Sequence, residues 1–521
     1  MVLRFLIATA LFCVGGPVQA ARGDPAPASF EQRIVAVIAR PSSPDAMRAA
    51  LARLSKESQS RDEQVTIDGF RTMIDGWQKS EAKGLADAEA FAAANPRSGG
   101  AQIALAYAQG RADEAEKAAD SLIAGLALDP GLVDAVSSSP VAYMLGKFRI
   151  RQDNARTLGL ARALFEAGWT RGNAGDRSFL ATQLILYDLG KGNGLAARKW
   201  LPIVLDPERL YVMLADNRFS SLRSEIEASA GSRLEIRWRD YLILARDSWS
   251  ESGEADDASA YAGALQKAKL HRTLVDQLLP RFVRGYNCPN DPVARSVAYY
   301  LVGSLVELGQ FPKAENVLYR SASAGGSVDA NYLSYLYVVK GRYAAAAAVL
   351  GRMLGAMAKA KTPVDPLQVT LLQARLACAN HQRGAVADSV AIDGLALGAR
   401  LWIARCLDRP AEAKAQLLAA LERDGDRLEA LAWLQPVAAN PAESAFERAM
   451  RAASDSLRRD PQIVAAVARH GIIHDWSVTA SVPQNLAPAR SKRPPPCGTY
   501  RTEPEDRQQV EELVEKRRPM P

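Results

Sequence analysis

One spacing recurs along this chain and limits what it can become: a glycine or aspartate, an alanine five residues on, and often an apolar residue four beyond that. It stands at Gly309-Gln310-Phe311-Pro312-Lys313-Ala314 with Leu318. It returns at Gly341-Arg342-Tyr343-Ala344-Ala345-Ala346 with Leu350, 32 residues later. Weaker copies are Gly110…Ala115, Gly192…Ala197 with Leu201, Gly253…Ala258, and Asp408…Ala413 with Leu417. A small residue that ends one helix, followed by an alanine that lets the next pack closely, marks a helix–turn–helix unit. Between these anchors apolar residues fall three and four apart, as at Ile34-Val37-Ile38, the period of a helix with one buried face. Strand-like alternation is scarce. Pro follows Asp in Asp129-Pro130, Asp206-Pro207, Asp365-Pro366 and Asp460-Pro461, which suits a cap and the first helical turn. The expectation is an all-α chain of many helices of ~10–16 residues joined by short turns.

At these anchors the chain resembles the tetratricopeptide repeat family, over most of residues 85–430. The resemblance implies a right-handed α-solenoid of antiparallel helix hairpins that binds a partner in its concave face. Leu333 and Tyr337 match the family's packing positions on the first helix of a unit, while its usual Trp is missing there. Only the interval from Gly309 to Gly341 is close to the family's period of ~34 residues. Stacked hairpins fit the physics, because one hairpin cannot bury its apolar face alone. In that family, residues ten, six and three before the anchor glycine line the groove. Counting back from Gly341 gives Asn331, Tyr335 and Val338, and from Gly309 gives Tyr299. The eroded anchors at Gly384 and Asp408 give His381, then Trp402 with Arg405. The resemblance therefore implies a binding strip of Tyr299, Asn331, Tyr335, His381, Trp402 and Arg405. Tyr, Trp and Arg carry much of the energy at interfaces. The competing reading has Tyr335 and Trp402 filling the hairpin interior.

The N-terminus reads as a secretory signal peptide. Arg4 precedes the apolar run Phe5–Val14, Gly15-Gly16-Pro17 breaks it, and Val18-Gln19-Ala20 is a small-x-small cleavage site. The expected layout is a signal peptide at 1–20, an N-terminal helical segment at 21–84, the repeat array at 85–470, a Pro-rich linker at 471–503, and a C-terminal helix and tail at 504–521. Trp476-Ser477-Val478-Thr479-Ala480 could form a short strand within the linker. Cleavage after Ala20 leaves Cys288, Cys378, Cys406 and Cys497, and an oxidising compartment permits disulfides. Pairing Cys288 with Cys497 would tie the tail to the array and is the first expectation. Pairing Cys378 with Cys406, in neighbouring hairpins, is the second.

Motifs that carry chemistry are sparse. There is no phosphate-binding Gly-x-x-x-x-Gly-Lys-Ser/Thr loop and no Gly-x-Ser-x-Gly elbow. Ser80-Glu81-Ala82-Lys83 has the Ser-x-x-Lys form but no Lys-Thr-Gly follows it. His470 and His474 are four apart, yet Gly471 weakens a helix that would present both to a metal. A formal charge of +7 is spread along the chain, so it signals no nucleic-acid face. The expectation is an exported, periplasmic or secreted, binding and scaffold protein. It is not expected to be an enzyme, to carry a cofactor or metal, or to keep a transmembrane segment after cleavage. Its partner would be a protein or peptide of the cell envelope, or an envelope polymer. The alternatives are an envelope glycan-processing enzyme, or a structural subunit of an outer-membrane export or assembly machine.

Overall fold

A computed structural model describes residues 29–489, with breaks at 39–43, 59, 77–79, 152, 171, 254, 287–291, 324–326, 360–365, 386–389, 438–439, 441, 485 and 488. The expected signal peptide, Cys288, Cys497 and the expected C-terminal helix lie outside the described residues. Among the described residues the chain is helical, with no strand and one isolated antiparallel bridge between Asp216 and Gly471. None of these helices is long and apolar enough to cross a membrane.

The stack opens with α1 (Phe30–Ile38), α2 (Pro44–Glu57), α3 (Arg61–Gly76), α4 (Glu81–Ala94), α5 (Gly99–Arg111) and α6 (Ala115–Leu128), each packed on the next. Small residues set the spacing here. A methyl added to Gly76 would stand 2.8 Å from the Cα of Gly84, so α3 and α4 touch backbone to backbone. The stack continues through α7 (Ser138–Arg151), α8 (Asn154–Glu166), α9 (Ala174–Gly190), α10 (Gly194–Trp200), α11 (Pro207–Ala215) and α12 (Arg223–Ala230). Next come α13 (Glu235–Ser252), α14 (Ala255–Lys267), α15 (His271–Tyr286), α16 (Pro292–Glu307) and α17 (Phe311–Ser323). Then follow α18 (Ser327–Val339), α19 (Tyr343–Ala358), α20 (Pro366–Gln382), α21 (Leu397–Cys406) and α22 (Pro410–Glu422). From α13 to α22 each helix packs on its successor. The last three helices, α23 (Arg427–Leu434), α24 (Ala445–Arg458) and α25 (Pro461–His470), turn back on the array. Here α23 meets α11, α24 meets α18 and α21, and α25 meets α22. Helices α11 to α23 therefore form a closed circuit.

The recurring anchor has a physical job. Gly309, Gly341, Gly192 and Gly384 hold φ of 70, 71, 72 and 75°, a left-handed conformation that costs glycine little. Gln310 N donates to Leu305 O at 2.8 Å and Gly309 N to Val306 O at 2.9 Å, the two bonds of a Schellman stop. The same pair of bonds follows Gly341, Gly192 and Gly384. Asp408 adopts it without being glycine, at φ 53°. The anchor read at Gly110 belongs three residues later, at Asp113 with φ 63°, because Gly110 lies inside α5. The paired alanines Ala115, Ala197, Ala258, Ala314, Ala346 and Ala413 are all buried. Ala346→Leu should overpack this contact and lower the unfolding free energy by ~1–3 kcal/mol, read from the urea midpoint. An unchanged midpoint would show that the contact is loose.

Two sequence expectations are corrected by the structure. The segment 476–480 is not a strand, and the first part of the expected linker is not free of the array. Ile472 N donates to Ala215 O at 2.8 Å, His474 N to Gln435 Oε1 at 3.0 Å, and Trp238 Nε1 to Val478 O at 2.6 Å. The Tyr211 hydroxyl donates to Trp476 O, and its ring lies 4.8 Å from that of Trp476. Val482 is buried, and Ala489 N reaches Gln277 Oε1 at 3.3 Å. The strap is held by side chains that offer hydrogen bonds to its backbone, which a strand ladder would otherwise satisfy. Among the described residues a disulfide joins Cys378 to Cys406, the second pairing expected, linking α20 to α21 with Cα atoms 5.7 Å apart.

Candidate functional site

A cavity of about 420 Å³ opens between helices of the circuit and α24. Its wall is built from α11, α14, α15, α16, α18 and α20, with Glu447 added by the returning helix α24. Tyr299 on α16 and Tyr332 on α18 stand with ring centroids 4.4 Å apart, inclined at 47°. Tyr335 joins them one helical turn further along α18. Burial raises the phenol pKa of Tyr332 and raises that of Tyr335 to about 12, so both stay neutral donors at physiological pH. Arg375 of α20 stands among the three phenols, and burial lowers its pKa from the usual guanidinium value.

Other lining residues carry charge that the protein pairs. Lys267 Nζ lies 2.6 Å from Asp206 and 3.0 Å from Glu208. Burial works against the ammonium, but Asp206, Tyr241 and Glu208 outweigh it and hold its pKa above the usual lysine value. Glu307 accepts a bond from Asn440 Nδ2 at 2.8 Å. Glu447 accepts from Ser444 N at 2.8 Å as part of a capping box at the start of α24.

His271 is the unusual member. It opens α15 and is 8% exposed. Its Nδ1 lies 3.1 Å from Ser304 Oγ, while Nε2 is buried with no hydrogen-bond partner and 4.0 Å from Glu307 Oε2. Ser, His and Glu thus stand in the order of a nucleophile, base and orienting acid. Ser304 is 0% exposed and does not line the cavity, so its hydroxyl is out of reach of a guest. Burial, helped by the Lys269 charge, lowers the imidazole pKa to about 4. An unfolded imidazole titrates near 6.5, so between pH 4 and 6.5 the unfolded chain binds the extra proton. Stability should therefore fall as pH falls through that window, by on the order of 3 kcal/mol in full. His271→Gln should remove that part of the slope in thermal melts, and an identical pH profile for the variant would show that His271 protonates freely in the fold.

The sequence-read strip is only partly assembled. Tyr299 and Tyr335 line the cavity. The side chain of Asn331 lies outside the described residues, and its neighbour Tyr332 occupies the wall. Trp402 stands behind Tyr335, 6.4 Å between centroids, and packs 6.2 Å from Phe446. Arg405 is turned away from the cavity: its Nε donates to Leu401 O at 3.0 Å and its Nη1 to Met450 O at 3.1 Å, with Ser454 Oγ also in contact. Its guanidinium lies 5.0 Å from the Trp433 ring, and burial pulls its pKa down to about 10. His381 is exposed near the end of α20 and does not line the cavity. One contiguous strip of the six is therefore replaced by two tyrosines on the wall, a tryptophan behind it and an arginine that pins α24.

Residues missed by sequence reasoning are Tyr332, His271, Arg375 and the paired charges. Tyr332 follows Tyr299 by 33 residues, a signal that the count from the glycines passed over by one position. His470 and His474 do not converge: the first pairs with Glu422 Oε2 at 3.0 Å, the second lies 3.2 Å from Tyr211 O. Among the described residues no three His, Cys, Asp or Glu side chains cluster as metal ligands would. The chain matches no protein-family model and no curated protein.

Proposed function

We propose that this chain is an exported helical-repeat binding and scaffold protein that holds a protein or peptide partner of the cell envelope against its concave face. In this reading the array is a right-handed, tetratricopeptide-like stack of antiparallel hairpins, and its site is for recognition, not turnover. The observation that carries it is the convergence of Tyr299, Tyr332 and Tyr335 on one inner wall, residues that supply large contact area with a polar tip. The buried Cys378–Cys406 bridge supports export, since disulfides persist in oxidising compartments.

The test is a pull-down from an envelope fraction with chain 21–521, followed by affinity measurement with the captured partner. Tyr335→Ala should weaken that binding by ~1–3 kcal/mol with helix content unchanged by circular dichroism. Trp402→Ala should act through Tyr335 and cost stability as well, because its ring packs on both Tyr335 and Phe446. Unchanged affinity in Tyr335→Ala would move the partner off this face. Release of product from envelope glycan by the purified chain would replace the reading by the enzymatic one.

A further inference from the structure

The cavity points to a second kind of guest, smaller than a protein. Its volume of about 420 Å³ falls at the small end of pockets that enclose ligands. The formal charges of its lining balance: Lys267, Lys269 and Arg375 stand against Glu208, Glu307 and Glu447. Two of the cations are engaged within the protein. Lys267 holds Asp206 and Glu208, and Arg375 already interacts with the protein beside the phenols. Lys269 is the third. It is exposed, and its ammonium forms no ion pair or hydrogen bond among the described residues. Lys269 N donates to Gln266 O at 3.0 Å and Leu270 N to Leu265 O at 2.9 Å, the same two bonds as at the glycine stops. Its φ of 57° is one that glycine adopts with less strain. The turn thus keeps a strained lysine, and that side chain lines the cavity. Beside it lies the Gln266 amide, over the bare Cα of Gly303 and without a hydrogen bond among the described residues.

Open carboxylate oxygens lie further along the wall. Helix α14 packs on α16, Tyr299 of α16 meets Tyr332 of α18, and α18 meets α24, which carries Glu447. Ser444 N occupies Oε2 of Glu447, and Asn440 Nδ2 occupies Oε2 of Glu307. Oε1 of each has no hydrogen bond among the described residues, and the Glu307 side chain is 32% exposed. Both carboxylates stand close enough to Tyr335 for their charge to raise its phenol pKa. Between them and Lys269 the lining is aromatic and aliphatic, with Tyr299, Tyr332, Val302, Val306 and Leu336. A free cation at one end, free carboxylate oxygens toward the other and apolar surface between match a zwitterion with an apolar body.

We infer that this cavity binds a zwitterion of dipeptide size, its carboxylate toward Lys269 and Gln266, its ammonium toward Glu307 and Glu447, and its side chains against Tyr299 and Tyr332. Neither Arg375 nor the buried Nε2 of His271 takes part in holding it. This goes beyond a concave face for a protein partner and adds a small-ligand site within it.

The test is calorimetric titration of chain 21–521 with three probes: Ala-Ala, Leu-Leu and Ala-Phe. The N-acetyl and C-amide forms of each, the hexapeptide of alanine and the neutral sugar cellobiose serve as comparators. At least one free dipeptide should bind, with each of its capped forms weaker by ~10-fold or more. Lys269→Gly should abolish the preference for free carboxylate over amide while melting no lower than the parent, because glycine relieves the left-handed strain. Lys269→Asn, a residue that tolerates that conformation, should do the same. The double variant Glu307→Gln/Glu447→Gln keeps acceptors for Asn440 and Ser444 and should abolish the preference for free amine over acetyl. Thermal melts on each variant separate lost binding from lost fold, and the two Lys269 variants carry the test if the double variant misfolds. No dipeptide binding tighter than ~1 mM, equal binding of free and capped forms, or tighter binding of the hexapeptide or cellobiose would each overturn the inference. So would full preference for the free carboxylate in both Lys269 variants. Capture of a protein partner without dipeptide binding would remove this site and leave the scaffold reading. Dipeptide binding without any captured partner would do the reverse.

Discussion

Opening the Cys378–Cys406 bridge is expected to lower the stability of the C-terminal half by about 3–4 kcal/mol, the loop-closure entropy of a 28-residue separation. The bridge clasps the segment between α20 and α21, where Ile392 and Leu395 are buried with only short local structure to hold them. Melting curves with and without reductant should separate by several degrees. The double variant Cys378→Ala/Cys406→Ala should melt like the reduced protein and ignore reductant. Equal melting of oxidised and reduced protein, or two free thiols at these positions in the unfolded unreduced chain, would refute the clasp.

Gly471→Ala is expected to be the most damaging single methyl in the protein. Its φ of 178° is ordinary extended backbone, so the cost is one of space and not of conformation. The added methyl would stand 2.1 Å from the carbonyl oxygen of Ala215, the acceptor of the Ile472 bond. Neither backbone can yield without breaking the joint between α11 and the strap. A loss of ~3 kcal/mol or more is expected, with new proteolytic cuts between residues 471 and 489. Gly341→Ala is the control. It has open space around it but φ of 71°, and should cost only ~1 kcal/mol. Comparable melting of Gly471→Ala and the parent would mean that this contact is dispensable.

Local chemistry explains which parts were legible in the sequence. The stops at Gly309 and Gly341 and the buried Ala314 and Ala346 are properties of six adjacent residues, so the repeat pattern revealed them. Caps such as Asp206-Pro207 and Asp460-Pro461 are equally local, and both lie where the spacing put them. The stops at Asp113 and Asp408 show the limit, since a left-handed residue that is not glycine leaves a weaker mark. The closure was not legible. Nothing in the residues around Tyr211 or Trp238 says that their hydroxyl and indole will hold the backbone at Trp476 and Val478, more than two hundred positions later. The cavity inherits part of that difficulty: Glu447 joins its wall only because α24 returns to α18, and His271 and Arg375 meet there from helices about a hundred positions apart. Arg405 escaped the count for a related reason, as two of its three acceptors, on Met450 and Ser454, lie on α24.

The contact of α23 with α11 also changes how the molecule should come apart. A linear stack of helical units has two free ends, each unit rests only on its neighbours, and such arrays fray inward one unit at a time. The circuit from α11 to α23 has no end from which to fray, and α1 to α10 hang outside it as an arm that does. Native-state hydrogen exchange should therefore fall into two classes: graded opening free energies that decline toward α1, and one shared, denaturant-sensitive opening for α11 to α23. Removing the contact of α23 with α11 would convert the second class into the first, turning one cooperative unit into a ladder of separate steps.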